Sequence, residues 1–122
     1  MNVSTLSAVF AIALLSSPSL PSLVALNSRR LADAYKLLTN FLKSHGIRYF
    51  PCNAGLFVLA RLAPNAQSWD DEAAAIDKLQ EAGVLVGAGR RYHVHEMGWA
   101  RISFAVKMTV LEEAMRRLET VL

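Results

Sequence analysis

The sequence predicts a small α/β unit, an α+β layered domain in which helices pack on a small sheet. Three observations predict it. Apolar residues recur at helical spacing over residues 22–45; apolar runs of strand length occupy Gly55–Leu62 and Ala100–Phe104; and Gly46 and Gly83 stand where two periodic stretches stop. The order reads helix, long helix, strand, strand, helix, short strand, strand, helix. A chain of 122 residues suffices for one compact domain, and 53% apolar against 19% charged residues is globular composition rather than disorder.

The first helix is read in Met1–Leu15, whose Ala8–Leu15 run is apolar and is followed by Ser16-Ser17-Pro18. No Lys or Arg precedes the run, a small-x-small cleavage site is poor, and the run is too short to span a bilayer. It therefore reads as a helix that packs against something, not as a signal peptide or membrane span. Pro18-Ser19-Leu20-Pro21 breaks the chain, and Pro21 suits the first turn of a new helix. Leu23, Leu31, Ala34, Tyr35, Leu38, Phe41, Leu42 and His45 then keep helical spacing, and Gly46 stops the helix as a C′ residue. At roughly 22–45 this helix exceeds the usual ~8–20 residues, so it is expected to bridge two domains.

Ile47–Phe50 reads as a short strand ended by Pro51, and Gly55–Leu62 as a buried strand. Pro64-Asn65 marks a loop. Ser68 is the expected N-cap of the next helix, with Asp70, Asp71 and Glu72 near the positive end of its dipole, Ala73, Ile76 and Leu79 on its inner face, and Gly83 at its end. Val84–Val86 is a short strand and Gly87-Ala88-Gly89 a flexible turn without the context of a dinucleotide loop. Ala100–Phe104 is a strand with Arg101 and Ser103 on one face and Ile102 and Phe104 on the other. Thr109 and Glu112 form a capping-box pattern for the last helix, whose buried stripe is Val110, Ala114, Met115, Leu118 and Val121.

The net charge of +3 comes from dispersed pairs, Arg29-Arg30, Arg90-Arg91 and Arg116-Arg117, which read as solvated faces and not as a nucleic-acid patch. The single cysteine, Cys52, excludes an internal disulfide, fits a reducing, cytoplasmic compartment, and reads as a small hydrophobe. His93-x-His95-Glu96 reads as a polar loop, since a metal site needs further ligands and an ordered second shell. No histidine pairs with a serine or with Cys52 at a spacing that identifies a triad, so no catalytic residue and no metal ligand is assigned. Arg101 is the sharper candidate. A guanidinium in the middle of an apolar strand is costly unless an anion meets it. Two readings fit the spacing equally: an arginine snorkelling to solvent or paired with an acid, and a planar fork that grips a carboxylate or phosphate.

Gly46-Ile47, Asn53-Ala54-Gly55-Leu56-Phe57, Gly83-Val84 and Gly98-Trp99-Ala100-Arg101-Ile102-Ser103-Phe104-Ala105 occur in this order. On these segments, from about Val3 to the C-terminus, the chain resembles the C-terminal part of fold-type I pyridoxal-phosphate (PLP) enzymes, the class I/II aminotransferases, and most of all their 1-aminocyclopropane-1-carboxylate synthase-like branch. The resemblance implies the C-terminal portion of the PLP-dependent transferase fold. Residues 1–21 would be a helical remnant of the large-domain side, and residues 22–122 the long helix and small domain. It implies an amino-acid substrate, a homodimer in the intact family, and no membrane partner. Arg101 matches the arginine that holds the substrate α-carboxylate, and Gly55 lies in a segment near the substrate without a catalytic role.

The family binds PLP through a Schiff-base lysine, and that lysine, the phosphate contacts and the acid paired with the pyridine nitrogen precede the region matching Val3. None of Lys36, Lys43, Lys78 and Lys107 matches it, and Ala88-Gly89 replaces the family's usual Pro-Gly. The chain alone is thus expected to be incomplete and inactive. The alternative is a non-catalytic remnant that binds a full-length relative or another partner. Transamination and lyase chemistry both stay open.

Overall fold

The computed structural model describes residues 4–122. They fall into two compact units, one ending at Ala32 and the other running from Asp33 to Leu122. In the first, helix α1 (Thr5–Leu15) is N-capped by Ser4, whose hydroxyl accepts the Ser7 N–H at 3.1 Å. The helix agrees with the prediction; Met1–Val3, included in that prediction, lie outside the described residues. None of α1 is buried, and Leu6, Phe10 and Leu15 are 81%, 72% and 72% exposed. Helix α2 (Leu20–Ser44) carries Pro21 in its first turn, where a missing N–H costs nothing. Leu23, expected on the buried stripe, is exposed instead. Among the described residues no single helix is long and apolar enough to cross a membrane.

The second unit is built on a three-stranded antiparallel sheet of order β1-β3-β2, with β1 at Phe57–Arg61, β2 at Gly87–Ala88 and β3 at Trp99–Ser103. Pairing of Val58 with Ile102 and of Ala60 with Ala100 puts these four side chains on one face, and all four are buried. Ala34, Leu38 and Leu42 of α2, spaced i, i+4 and i+8, join the buried core. So do Leu79 of helix α3 (Trp69–Glu81) and Leu111, Met115 and Leu118 of helix α4 (Met108–Glu119). The layered α/β arrangement expected from the sequence is the observed one.

Both predicted glycine stops are Schellman-type ends. Gly46 (φ +64°) and Gly83 (φ +79°) adopt the left-handed conformation, and the next residues, Ile47 and Val84, donate back to the carbonyls of Leu42 and Leu79 at 2.8 Å each. This second closure explains why Val84–Val86 is not a strand. The Val84 N–H is committed to the helix, Leu85 is 80% exposed, and pairing with β3 starts only at Gly87, opposite Arg101. Ile47–Phe50 is likewise reduced to a single bridge, Tyr49 to Ala60, before Pro51. The Gly55–Leu62 run shortens to Phe57–Arg61 and alternates in burial, so it is not buried on both faces.

Two helix phases differ from the prediction by one position. Helix α4 begins after Lys107 with no side-chain cap; Thr109 already lies inside the helix, so no capping box forms. Its buried stripe is Leu111, Met115 and Leu118, while Val110 is 53% exposed and Ala114 and Val121 are half-buried. Helix α3 has the Ser68 cap as expected, reinforced by Asp71, whose carboxylate accepts the N–H groups of Ser68 and Gln67 at 2.9 and 3.0 Å. The Gln67 N–H first, then the Ser68 hydroxyl and last the Ser68 N–H hold the Asp71 carboxyl below its ordinary range, against a small opposing effect of burial. On its inner side, however, Ala73 is exposed and Ile76 half-buried, whereas Glu72 is only 2% exposed.

Glu72 is buried because it closes the sheet's connecting loop. One carboxylate oxygen accepts the Arg90 N–H at 3.1 Å and the other the Gly98 N–H at 2.9 Å, so it holds both ends of the segment between β2 and β3. Gly98 (φ +87°) is fixed as glycine here, because a Cβ would run into the Ala63 carbonyl. Glu72→Ala would leave two N–H groups without their acceptor and is expected to destabilise the fold by about 2–4 kcal/mol, with Glu72→Gln, which keeps one acceptor oxygen, costing less. Urea unfolding of the variants checks the order; an unshifted midpoint for Glu72→Ala would refute the clasp.

Candidate functional site

The sheet face opposite the core carries the candidate site. On it lie Phe57, Leu59 and Arg61 of β1 and Trp99, Arg101 and Ser103 of β3, paired as Phe57–Ser103, Leu59–Arg101 and Arg61–Trp99, with Gly87 of β2 on the far side of Arg101. The predicted alternation of β3 holds: Arg101 is half-buried and Ser103 exposed, while Ile102 and Phe104 are buried.

The two ends of this face differ. At one end Trp99 is 2% exposed, covered by Phe50 stacked on it at 4.7 Å, with the Arg48 guanidinium 5.6 Å from its ring centre. Its indole N–H donates to Glu96 at 2.9 Å, and Glu96 also meets Arg61 at 3.0 Å and Arg48 at 3.5 Å. The donated Trp99 N–H, followed by the charges of Arg61 and Arg48, holds the Glu96 carboxyl below its ordinary range against the opposing effect of partial burial. At the other end Arg101 has no acid partner within ion-pair distance among the described residues. Its guanidinium carbon lies 4.1 Å from the Phe57 ring centre and 4.2 Å from that of Tyr92.

Each ring is placed by local structure. Phe57 is diagonal to Arg101 across the β1–β3 ladder, within reach of an aromatic side chain. The loop before it is tied to α2 by the Cys52 N–H, which donates to the Tyr35 hydroxyl at 3.2 Å, and the Phe104 N–H donates to the Leu56 carbonyl at 3.1 Å. Gly55 is exposed and has φ +91° with open space where a Cβ would stand, so the turn into β1 requires its conformation. Tyr92 ends a 3-10 turn, Gly89–Tyr92, that closes with His93 in the left-handed region.

Sequence reasoning found Arg101 and the Phe57 segment but missed Tyr92 and Glu72. Tyr92 stands on no periodic element, and its only forward signal is Gly87, whose absent side chain makes room for its ring. His93 and His95 are exposed, and Glu96 is committed to Trp99, Arg61 and Arg48. Among the described residues no three His, Cys, Asp or Glu side chains gather as metal ligands. A separate cleft of about 740 Å³ opens beside His45, Arg48, Arg61 and Lys78 and does not include Arg101.

The Trp99–Glu96 contact makes a pH prediction. Because Glu96 titrates lower folded than unfolded, its contribution to stability is fully present above the ordinary glutamate value and is lost as pH falls through the depressed one. The Trp99 indole N–H resonance should report this step in acid, and Glu96→Gln should abolish it; a step at the ordinary glutamate value would contradict the contact.

The sequence profile of the family described as Aminotransferase class I and II matches residues 1–118. The chain is 55% identical over 121 residues to the probable aminotransferase aclI of Aspergillus oryzae, and 38% identical over 128 residues to the probable aminotransferase gliI of Aspergillus fumigatus. Each alignment covers 98% of this chain and 29% of the relative, so the chain spans under a third of their length. It is also 33% identical to 1-aminocyclopropane-1-carboxylate synthase 1 of Oryza sativa subsp. indica, over 81% of this chain and 21% of that one. Among solved structures, a Thermus thermophilus aspartate aminotransferase mutant complexed with tryptophan superposes with a TM-score of 0.79 at 26% identity, covering 91% of this chain and 28% of that one. The chain therefore belongs to the class I and II aminotransferase family.

Proposed function

We propose that this chain is the substrate-gripping, small-domain segment of an amino-acid aminotransferase or a related lyase, and that Arg101 binds the substrate α-carboxylate. The observation that carries the reading is the contrast between two arginines on one sheet face: Arg61 is paired with Glu96, whereas Arg101 is held between two rings with no acid. A planar guanidinium stacked on aromatic faces keeps its N–H edge for a planar two-oxygen acceptor. Such a grip fixes the amino acid's orientation, and much of its value is positional. In this reading Gly55 shapes the turn that presents Phe57 near the substrate, residues 22–122 are the long helix and small domain, and residues 1–21 are a helical remnant of the large-domain side.

The family's cofactor, PLP, supplies an electron sink for charge developing at the substrate α-carbon when bound. Lys36, Lys43, Lys78 and Lys107 are all exposed on helices or at the start of one, and none lies on the Arg101 face. None of these four lysines fits the role of holding that cofactor, so the reading assigns this segment binding and not bond-making. The exposed apolar surface of α1 favours a second element of the proposal, a covering partner: the large domain and second subunit of a complete enzyme, or, for a non-catalytic remnant, a full-length relative.

Arg101→Lys keeps the charge and loses the fork. It is expected to weaken binding of alanine or acetate roughly 10- to 100-fold, read in parent and variant alike from the backbone amide resonances of β3; unchanged affinity sinks the assignment. The chain mixed with PLP, an amino acid and 2-oxoglutarate should yield no new keto acid, and sustained turnover would overturn the division of labour.

A further inference from the structure

We infer that Tyr92 is a positioning residue for the Arg101 grip, one wall of an aromatic slot whose other wall is Phe57. The inference rests on the carboxylate reading of Arg101 and adds what confines that side chain. β3 is the central strand, so its neighbours approach Arg101 from opposite sides: Phe57 on β1, and on the β2 side Gly87, which pairs directly with Arg101. Gly87 offers no side chain there. A Cβ at that position would stand 2.8 Å from both a ring carbon and the hydroxyl oxygen of Tyr92, so the Tyr92 ring occupies the place of the missing cross-strand neighbour.

The guanidinium is thus flanked by two rings at 4.1 and 4.2 Å. A guanidinium held against aromatic rings keeps its N–H groups, which lie in its own plane, for a ligand. Phe57 and Tyr92 remain 43% and 38% exposed, which leaves the slot open to solvent at its rim. A ligand with two oxygens in one plane can meet that edge, and the slot removes the sideways rotation that an exposed arginine would otherwise keep.

Tyr92 can act as a wall because its backbone is anchored. The Arg90 N–H is held by Glu72, and Gly89 is buried against the Trp99 backbone, where a Cβ would stand 2.7 Å from the carbonyl oxygen. His93, at φ 55°, ends the turn directly after Tyr92. The hydroxyl of Tyr92 has no hydrogen bond to protein among the described residues, so the ring and not the hydroxyl carries the role.

The test uses the 122-residue chain, labelled at arginine and titrated with acetate and with alanine. Tyr92→Phe keeps the wall and should bind within about twofold of the parent. Tyr92→Leu keeps apolar bulk but no ring, and should bind roughly three- to tenfold more weakly. The Arg101 side-chain protons should show upfield ring-current shifts in the parent and in Tyr92→Phe that are reduced in Tyr92→Leu. The Trp99 indole N–H resonance, set by Glu96, should stay in place in all three and so separates loss of the wall from loss of the fold. Equal affinity in Tyr92→Leu and the parent would overturn the role of Tyr92 while leaving Arg101 as the carboxylate site. Absence of carboxylate binding by the parent would overturn the Arg101 reading itself, and the slot as a binding device with it.

Discussion

The buried carboxylate of Glu72 is the contact on which the working face of this molecule depends. It is a costly choice, since a carboxylate removed from water must recover its solvation from the protein. Here the recovery comes from two backbone N–H groups, Arg90 and Gly98, at 3.1 and 2.9 Å. The same two bonds satisfy donors that the loop's burial would otherwise leave without partners. They also set geometry. Gly98 precedes β3 directly, so anchoring it fixes where that strand begins and hence which residue stands opposite Gly87. Arg90 lies in the turn that ends with Tyr92. One side chain from a helix thereby fixes both the strand that carries Arg101 and the turn that carries the ring beside it.

The two sides of the sheet solve different problems. The inner side is filled by small and branched residues, Ala60, Ala100, Val58 and Ile102, and leucines of the helices share its burial at near-zero exposure. A side chain of this kind contributes about 1.5–3 kcal/mol by burial, so this side carries stability. The outer side carries two arginines with different fates. Arg61 is neutralised by Glu96, although its Nε is buried without a partner. Arg101 keeps its charge without an acid and is stabilised only by rings, each worth about 0.5–1 kcal/mol at such partly exposed positions. Leaving a cation so weakly compensated is a local inconsistency that the proposed carboxylate would resolve.

Much of this was legible in the sequence where a residue's signal is local. Gly46 and Gly83 stop helices by conformation, Ser68 caps by its hydroxyl, and the alternation Arg101, Ile102, Ser103, Phe104 states which side of β3 meets the core. What escaped was tertiary in origin. Val84–Val86 has strand composition, yet its first N–H belongs to the preceding helix. Thr109 and Glu112 have capping-box spacing, yet the helix starts before them because Lys107 already takes the extended conformation. Glu72 sits among acidic residues that the helix dipole accounts for, and no periodicity distinguishes the one that turns inward. Tyr92 becomes visible only once Gly87 is known to face Arg101.

The proposed pairing of a grip with a wall bears on what a non-reacting contact can contribute to a reaction. Binding a substrate equally in its ground and transition states lowers the concentration needed without hastening the chemistry. An arginine free to swing would do only that. An arginine confined in a slot fixes the plane of the carboxylate and, through the short bond to it, the direction of the α-carbon's remaining substituents. Orientation of this kind is where a non-reacting contact gains leverage on rate, because misplacement by an ångström can cost a hundredfold. On the proposed reading, the rigid turn held by Glu72 is therefore part of the substrate site although it touches no substrate: it converts a charge on a strand into a direction in space.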